Sequence, residues 1–183
     1  MEEVLRGVPM RERKLRNQNG ITLVEIIIVI AIVGILASTA VMMIGHLHYA
    51  DTQKVVKTLD SSLNELQVKT MSKTGDYYMY VYHLSDGYYV QILSENLSAF
   101  DASRLTTDGK KLSNNTISIC QDGVELPEDG YMKIAYTKQA TFDTTKTFDT
   151  PNTNVQTIRI DGVPEYSIQL VYDTGKHFVI SGS

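Results

Sequence analysis

From Ile21 to Gly45 the chain is apolar at almost every position, with no period of three or four that would leave one helix face polar. A uniformly apolar segment of this length is long enough for a tilted membrane-spanning helix, which needs about 20 such residues. The pattern changes after Asp51. Val55, Val56, Leu59, Leu63, Leu66 and Thr70 recur at spacings of three and four, so one helix face is apolar and the rest polar. Together the two patterns predict one helix from about Thr22 to Lys73. Glu65 and Lys69 at i and i+4 add a few tenths of a kcal/mol. Lys73 in the last turn with Gly75 just beyond it supplies the stop, because glycine accepts the left-handed conformation at a helix end.

From Asp76 onward the pattern predicts strands. Tyr77 to Leu84 and Tyr88 to Leu93 flank Ser85-Asp86-Gly87, and Tyr166 to Tyr172 and Lys176 to Ser181 flank Asp173-Thr174-Gly175; both read as hairpins. Further strands are expected at Thr116 to Cys120, Met132 to Thr137 and Thr157 to Ile160, the last entering an Asp161-Gly162 turn. The stretch 140–154 is rich in Thr, Asp and Asn, contains Pro151, and reads as a surface loop or short hairpin. The apolar stripe of the helix needs a partner surface, and a sheet from this β-rich half is the one on offer. The expected class is therefore α+β, a long N-terminal helix against an antiparallel β head.

Charge sharpens this reading at one residue. Between Asn17 and Ala50 the one ionised side chain at neutral pH is Glu25. A charge in a membrane-length segment costs roughly 2.5 to 3.5 kcal/mol on insertion scales, so it marks a functional site whose partner must be named. Ahead of the run, Arg6, Arg11, Arg13, Lys14 and Arg16 outweigh Glu2, Glu3 and Glu12. A basic flank holds that end in the cytoplasm and sends the remainder outward. No small-residue A-x-A cleavage site closes the apolar run, so the run is expected to be retained. Residues 74–183 hold eight Lys or Arg against fourteen Asp or Glu, which argues against broad binding to nucleic-acid phosphates but leaves a local basic patch open. Cys120 is the sole cysteine of the 183 residues, which excludes an intrachain disulfide.

The segment Gly20-Ile21-Thr22-Leu23-Val24-Glu25 with its basic leader and long aliphatic tail closely resembles the N-terminus of type IV prepilins and pseudopilins. Lys14 and Arg16 match the basic leader, Gly20 the residue before the cut, and Glu25 the buried acid. Ile21 stands in place of the commoner Phe, and Met42 where many members carry a kinking Pro. The resemblance implies cleavage between Gly20 and Ile21 by a prepilin peptidase and N-methylation of Ile21. It further implies pairing of Glu25 with the new α-amino group of a neighbouring subunit, which would offset part of the cost of both charges in lipid. Gly34 is expected to serve close helix packing or flexibility, since small residues let membrane helices approach. The order of strands, with a terminal hairpin and no cysteine pair, resembles minor subunits of the GspH/FimT type more than major pilins.

The implied organisation is a leader at 1–20, a transmembrane and polymerisation helix at 21–50, an amphipathic helix at 51–75 and a globular head at 76–183. Met10 is an alternative start that would give a more compact leader.

Other motifs add no chemistry. His46 and His48 lie on different helix faces and do not share a metal. The acidic run Asp122, Glu125, Glu128 and Asp129 lacks the spacing of an EF-hand and reads as a solvated turn. The tyrosines Tyr77, Tyr78, Tyr80, Tyr82, Tyr88 and Tyr89 suit either an adhesive face or hairpin-stabilising pairs, and strand packing favours the second. Cys120 reads as a core residue. His83 and His177 have no nucleophile beside them in sequence, and no phosphate loop is present. No enzyme, cofactor or metal site is expected. The reading is a structural subunit of a type IV pilus, a type II secretion-like pseudopilus or a DNA-uptake pilus. Its partners would be the peptidase, other pilin subunits, an assembly platform protein and the cell membrane. A membrane-anchored extracellular binding protein that never polymerises is the alternative.

Overall fold

A computed structural model describes residues 22–147 and 155–182 of the chain. It divides into two compact units, Met1–Val41 and Met42–Ser183. The helix α1, Leu23–Ser72, contributes residues to both, and its bounds lie within a residue of those the pattern predicts.

In the second unit the stripe of α1 is the helical side of the core. Val55, Leu59, Leu63 and Leu66 are fully buried and Val56 nearly so. On its polar side Lys69 and Glu65 pair at 2.6 Å. Gly75 takes the left-handed φ of +101° expected beyond the helix end. A second device stops the helix. The Lys138 ammonium donates to the carbonyls of Thr70, Lys73 and Gly75 at 2.7, 2.8 and 2.6 Å. A cation on the last unpaired carbonyls satisfies acceptors that a helix end leaves orphaned.

Two antiparallel sheets form the head. The first contains β1 (Tyr78–Leu84), β2 (Gly87–Leu93), β3 (Lys110–Ser113) and β6 (Tyr131–Ala135), in spatial order β3-β2-β1-β6. The second contains β4 (Ser118–Gln121), β5 (Val124–Glu125), β7 (Val155–Asp161), β8 (Tyr166–Val171) and β9 (Lys176–Ser181), in order β5-β4-β7-β8-β9. Both expected hairpins are present, β1 with β2 and β8 with β9. At the first, Gly87 has φ +138°, and a Cβ there would collide with the Ser113 carbonyl of β3. Glycine is required on both counts.

The α1 stripe packs into one core with Met79 and Val81 of β1 and with Ile158, Ile160, Ile168 and Leu170 of the second sheet. The Asp161-Gly162 turn closes on the same helix. A Cβ at Gly162 would run into the Thr52 side chain, whose hydroxyl donates to the His48 carbonyl and accepts the Val163 N–H.

The tyrosines settle as core. Alternation along β1 sends Met79 and Val81 toward α1 and Tyr78, Tyr80 and Tyr82 to the opposite face, where Tyr89, Leu97 and Leu105 complete a second apolar cluster. The segment 94–109 covers that face. Tyr80 donates to the Glu95 carbonyl at 2.9 Å and accepts the Leu97 N–H at 2.8 Å, while Tyr82 donates to the Thr106 carbonyl at 2.6 Å. A ring that fills volume while its hydroxyl satisfies loop backbone suits this role.

Two strands escape the sequence pattern. Lys110–Ser113 has a single large apolar residue, and β5 is two residues long. The stretch 140–154 is less of a surface loop than expected. Phe142 is buried between Tyr136 and Tyr172, at ring separations of 4.3 and 5.7 Å. The buried Thr147 hydroxyl exchanges hydrogen bonds with the backbone of Ala135. Residues 148–154 lie outside the described residues.

Candidate functional site

The first turn of α1 is built by a local motif that the apolar reading passed over. Thr22, just before the helix, accepts the Glu25 N–H on its side-chain oxygen at 3.2 Å, and its carbonyl accepts the Ile26 N–H at 3.2 Å. Thr22 is thus the N-cap and Glu25 the third helical residue, the positions of the Ser/Thr and Glu of a capping box. The signal is legible as Thr-x-x-Glu. Glu25 falls where the partial positive charge of the helix start favours a carboxylate. Among the described residues its carboxylate has no ion-pair partner.

Between Ile26 and Leu36 the helix has no polar face. Leu23, Val24, Ile26, Ile27, Ile28, Val29, Ile30, Ile32, Val33, Ile35 and Leu36 all stand at least half exposed. A helix apolar all round is stable where every side meets an apolar medium, whether lipid or packed protein. Among the described residues no helix is long and apolar enough to cross a membrane. Gly34 sits inside this stretch, and a Cβ there would meet open space. Nothing among the described residues therefore requires glycine at this position, where it costs about 1 kcal/mol of helix propensity relative to Ala. Gly20 and Ile21, the expected cleavage and methylation positions, lie outside the described residues. So do the leader and the side chains of Met42 and His46.

The head places the remaining candidates in structural roles. Asp122 and Asp129 adopt positive φ, 48° and 58°. The Asp122 carboxylate accepts the Thr157 N–H at 2.8 Å. Glu125 accepts from Ser118 at 2.6 Å and Tyr88 at 3.0 Å, and these donors hold its carboxyl below the usual range. Among the described residues no three His, Cys, Asp or Glu side chains are disposed to hold a metal. His83 stacks on Tyr88 at 4.1 Å, with Nδ1 3.0 Å from the Leu126 carbonyl. His177 Nε2 lies 3.1 Å from Asp60 and joins β9 to α1. Cys120 is buried as expected, although its neighbours are polar: Sγ lies 3.4 Å from Asp161 and 3.8 Å from Arg159. Burial pushes its thiol up, away from the reactive thiolate.

Residues 15–41 match the family model of the prokaryotic N-terminal methylation motif, the type IV prepilin signature. The match brings the basic Arg16, the Gly20-Ile21 junction, the Thr22 cap, Glu25 and the aliphatic helix into one motif. It is the motif of prepilin-peptidase substrates that assemble with other pilins. No curated protein and no solved structure matches the chain.

Proposed function

We propose that this chain is a structural, non-enzymatic subunit of a type IV pilus, a type II secretion-like pseudopilus or a DNA-uptake pilus, of the minor pilin or pseudopilin kind. The observation that carries the reading is the matched motif, with Glu25 following a Thr22 cap at the head of a helix whose stretch from Ile26 to Leu36 is apolar on every side. Prepilin peptidase cuts between Gly20 and Ile21, and Ile21 becomes the N-methylated first residue. Before assembly the run from Ile21 to Gly45 anchors the protein in the cell membrane with the head outside the cytoplasm. During assembly, driven through a platform protein, Glu25 pairs with the Ile21 amine of a neighbouring subunit. Gly34 gives neighbouring helices room to approach.

Two measurements test this. Mass spectrometry of protein extracted from membranes with active peptidase is expected to find a mature chain starting at methylated Ile21; an intact leader or another start overturns the processing step. Glu25→Gln keeps the side-chain size and removes the charge. In cells without wild-type subunits it is expected to leave processed protein in the membrane and remove it from filaments. Full incorporation of Glu25→Gln would sink charge pairing and favour a simple membrane-anchored binding protein.

A further inference from the structure

The second sheet ends at β9, an edge strand without proline or bulge whose one lysine, Lys176, stands at its very start and whose inward His177 is paired with Asp60; among the described residues no backbone hydrogen bond reaches its outer edge. Edge strands are commonly blunted by proline, bulges, inward charges or a covering element, because their unpaired N–H and C=O groups otherwise template another strand. β9 is six residues of regular ladder, Lys176-His177-Phe178-Val179-Ile180-Ser181, paired to β8 without a bulge. Phe178, Val179 and Ile180 remain 51, 43 and 41% exposed. The opposite edge, β5, is two residues long and is followed two residues later by Pro127, so it is protected.

The ladder fixes which groups of β9 are free. Gly182 donates its N–H to the Glu165 carbonyl, so the pair 165/182 is a hydrogen-bonded one. In an antiparallel pair such pairs alternate with non-bonded ones. Continuing the register inward, Ile180, Phe178 and Lys176 bond to β8, and His177, Val179 and Ser181 turn their N–H and C=O groups outward. Ile168 and Leu170 of β8 lie in the core and face Val179 and His177 in register, so those two side chains lie on the α1 side. Phe178 and Ile180 therefore lie on the outer face of the sheet.

We propose that β9 is a pairing edge for a second copy of this chain, the two β9 strands running antiparallel about a two-fold axis at Val179. Two registers pair five residues of β9, one centred on Val179 and one on Phe178; the second sets Ile180 against Lys176 and Val179 against His177, whereas the first gives Phe178, Val179 and Ile180 apolar partners throughout. Centred on Val179, the outward-facing residues meet as hydrogen-bonded pairs: Val179 with the second copy's Val179, and His177 with its Ser181. Phe178 then lies across from the second copy's Ile180 on the outer face, an aromatic against β-branched pair of the kind that stabilises neighbouring strands. Lys176 lies across from Gly182, so no like charges oppose one another. Centring on His177 instead sets the imidazoles against each other and leaves Ile180 and Ser181 without a partner strand. One strand pair buries little area, so the dimer belongs to the weak, concentration-dependent class. A two-fold contact closes on itself. It is therefore distinct from the repeating contact of a filament, and it stands or falls independently of the pilus reading.

The test is done on the full chain in detergent. Val179→Cys is expected to form an interchain disulfide under mild oxidation, because hydrogen-bonded partners sit about 5.5 Å apart at Cα, within disulfide range. Lys176→Cys, out of register with its own copy, is expected to form none. The parent chain with its buried Cys120 is the blank. Val179→Pro removes an N–H that β8 does not use, so the β8–β9 ladder is kept. It is expected to weaken dimerisation about tenfold or more, through the two central hydrogen bonds, with an unchanged far-ultraviolet spectrum. Phe178→Lys, at an exposed side chain, is expected to do the same and serves if the proline variant misfolds. Equal cross-linking at positions 176 and 179, no cross-link at 179, or a dimer unaffected by Val179→Pro and Phe178→Lys overturns the proposal. An extended peptide of another protein as the occupant would show itself as a chain that stays monomeric alone.

Discussion

At the scale of single residues, the N-terminal motif is more legible than the core. Glu25 stands out because a carboxylate in an aliphatic run is expensive, and Thr22 could have been read as its cap from the Thr-x-x-Glu spacing alone. The tyrosines were ambiguous, since alternation places them on one face of a strand without saying whether a loop covers that face. Segment 94–109 covers it, with consequences for pH. Burial under that segment pushes Tyr80 and Tyr82 up to about 12 from an ordinary value of 10.0, and burial in the core on the α1 side does the same to Tyr88. For an acid whose pKa is raised on folding, the stabilisation is complete below the unfolded value and is lost as pH rises toward the folded one. The head is therefore expected to hold its urea midpoint up to about pH 10 and lose stability between pH 10 and 12, with part of the tyrosinate absorbance appearing only as it unfolds. Complete tyrosine titration near pH 10 with the fold intact would show that these rings are reachable by water.

At the scale of elements, strong periodicity carried the prediction and weak periodicity failed. Five apolar stripe positions over about three turns, with Thr70 continuing the line, fixed α1 and its buried face, and two Gly-bearing turns fixed the hairpins. Strands β3 and β5 depend on neighbours rather than on their own residues: Lys110 and Lys111 pair only because β2 offers an edge, and β5 is the return of a tight turn at Asp122-Gly123. The Lys138 cap was illegible because its three acceptors lie more than sixty residues away in sequence. Lys138 is an exposed residue, so Lys138→Met is expected to lower head stability by only about 1 kcal/mol, read as a small shift in urea midpoint. Leu63 has no exposed surface and belongs to the core that both sheets share. Leu63→Ala is accordingly expected to cost about 2 to 5 kcal/mol in a head fragment spanning 46–183, and a midpoint that does not move would mean the stripe is not core.

At the scale of the whole molecule, two kinds of information are written into two parts of the chain. The described residues 22–38 are exposed throughout, and among the described residues every buried one lies at Thr52 or beyond. The family match ends at residue 41, short of the head. The N-terminal part therefore reads as motif, because the proposed processing and charge pairing would need particular residues at fixed spacing. The head reads only as pattern, because many sequences satisfy the same burial. If the two sets of residues act separately, their substitutions must dissociate. Glu25→Gln is expected to leave the unfolding midpoint of the head unchanged while abolishing filament incorporation. Leu63→Ala is expected to lower that midpoint while leaving cleavage between Gly20 and Ile21 intact, since the peptidase meets residues that the head core does not include. Measuring processing by mass spectrometry and head stability by denaturant on the same two variants decides the matter. A Leu63→Ala chain that is stable but uncleaved, or a Glu25→Gln chain whose head unfolds early, would show that the apolar helix and the head fold as one cooperative body.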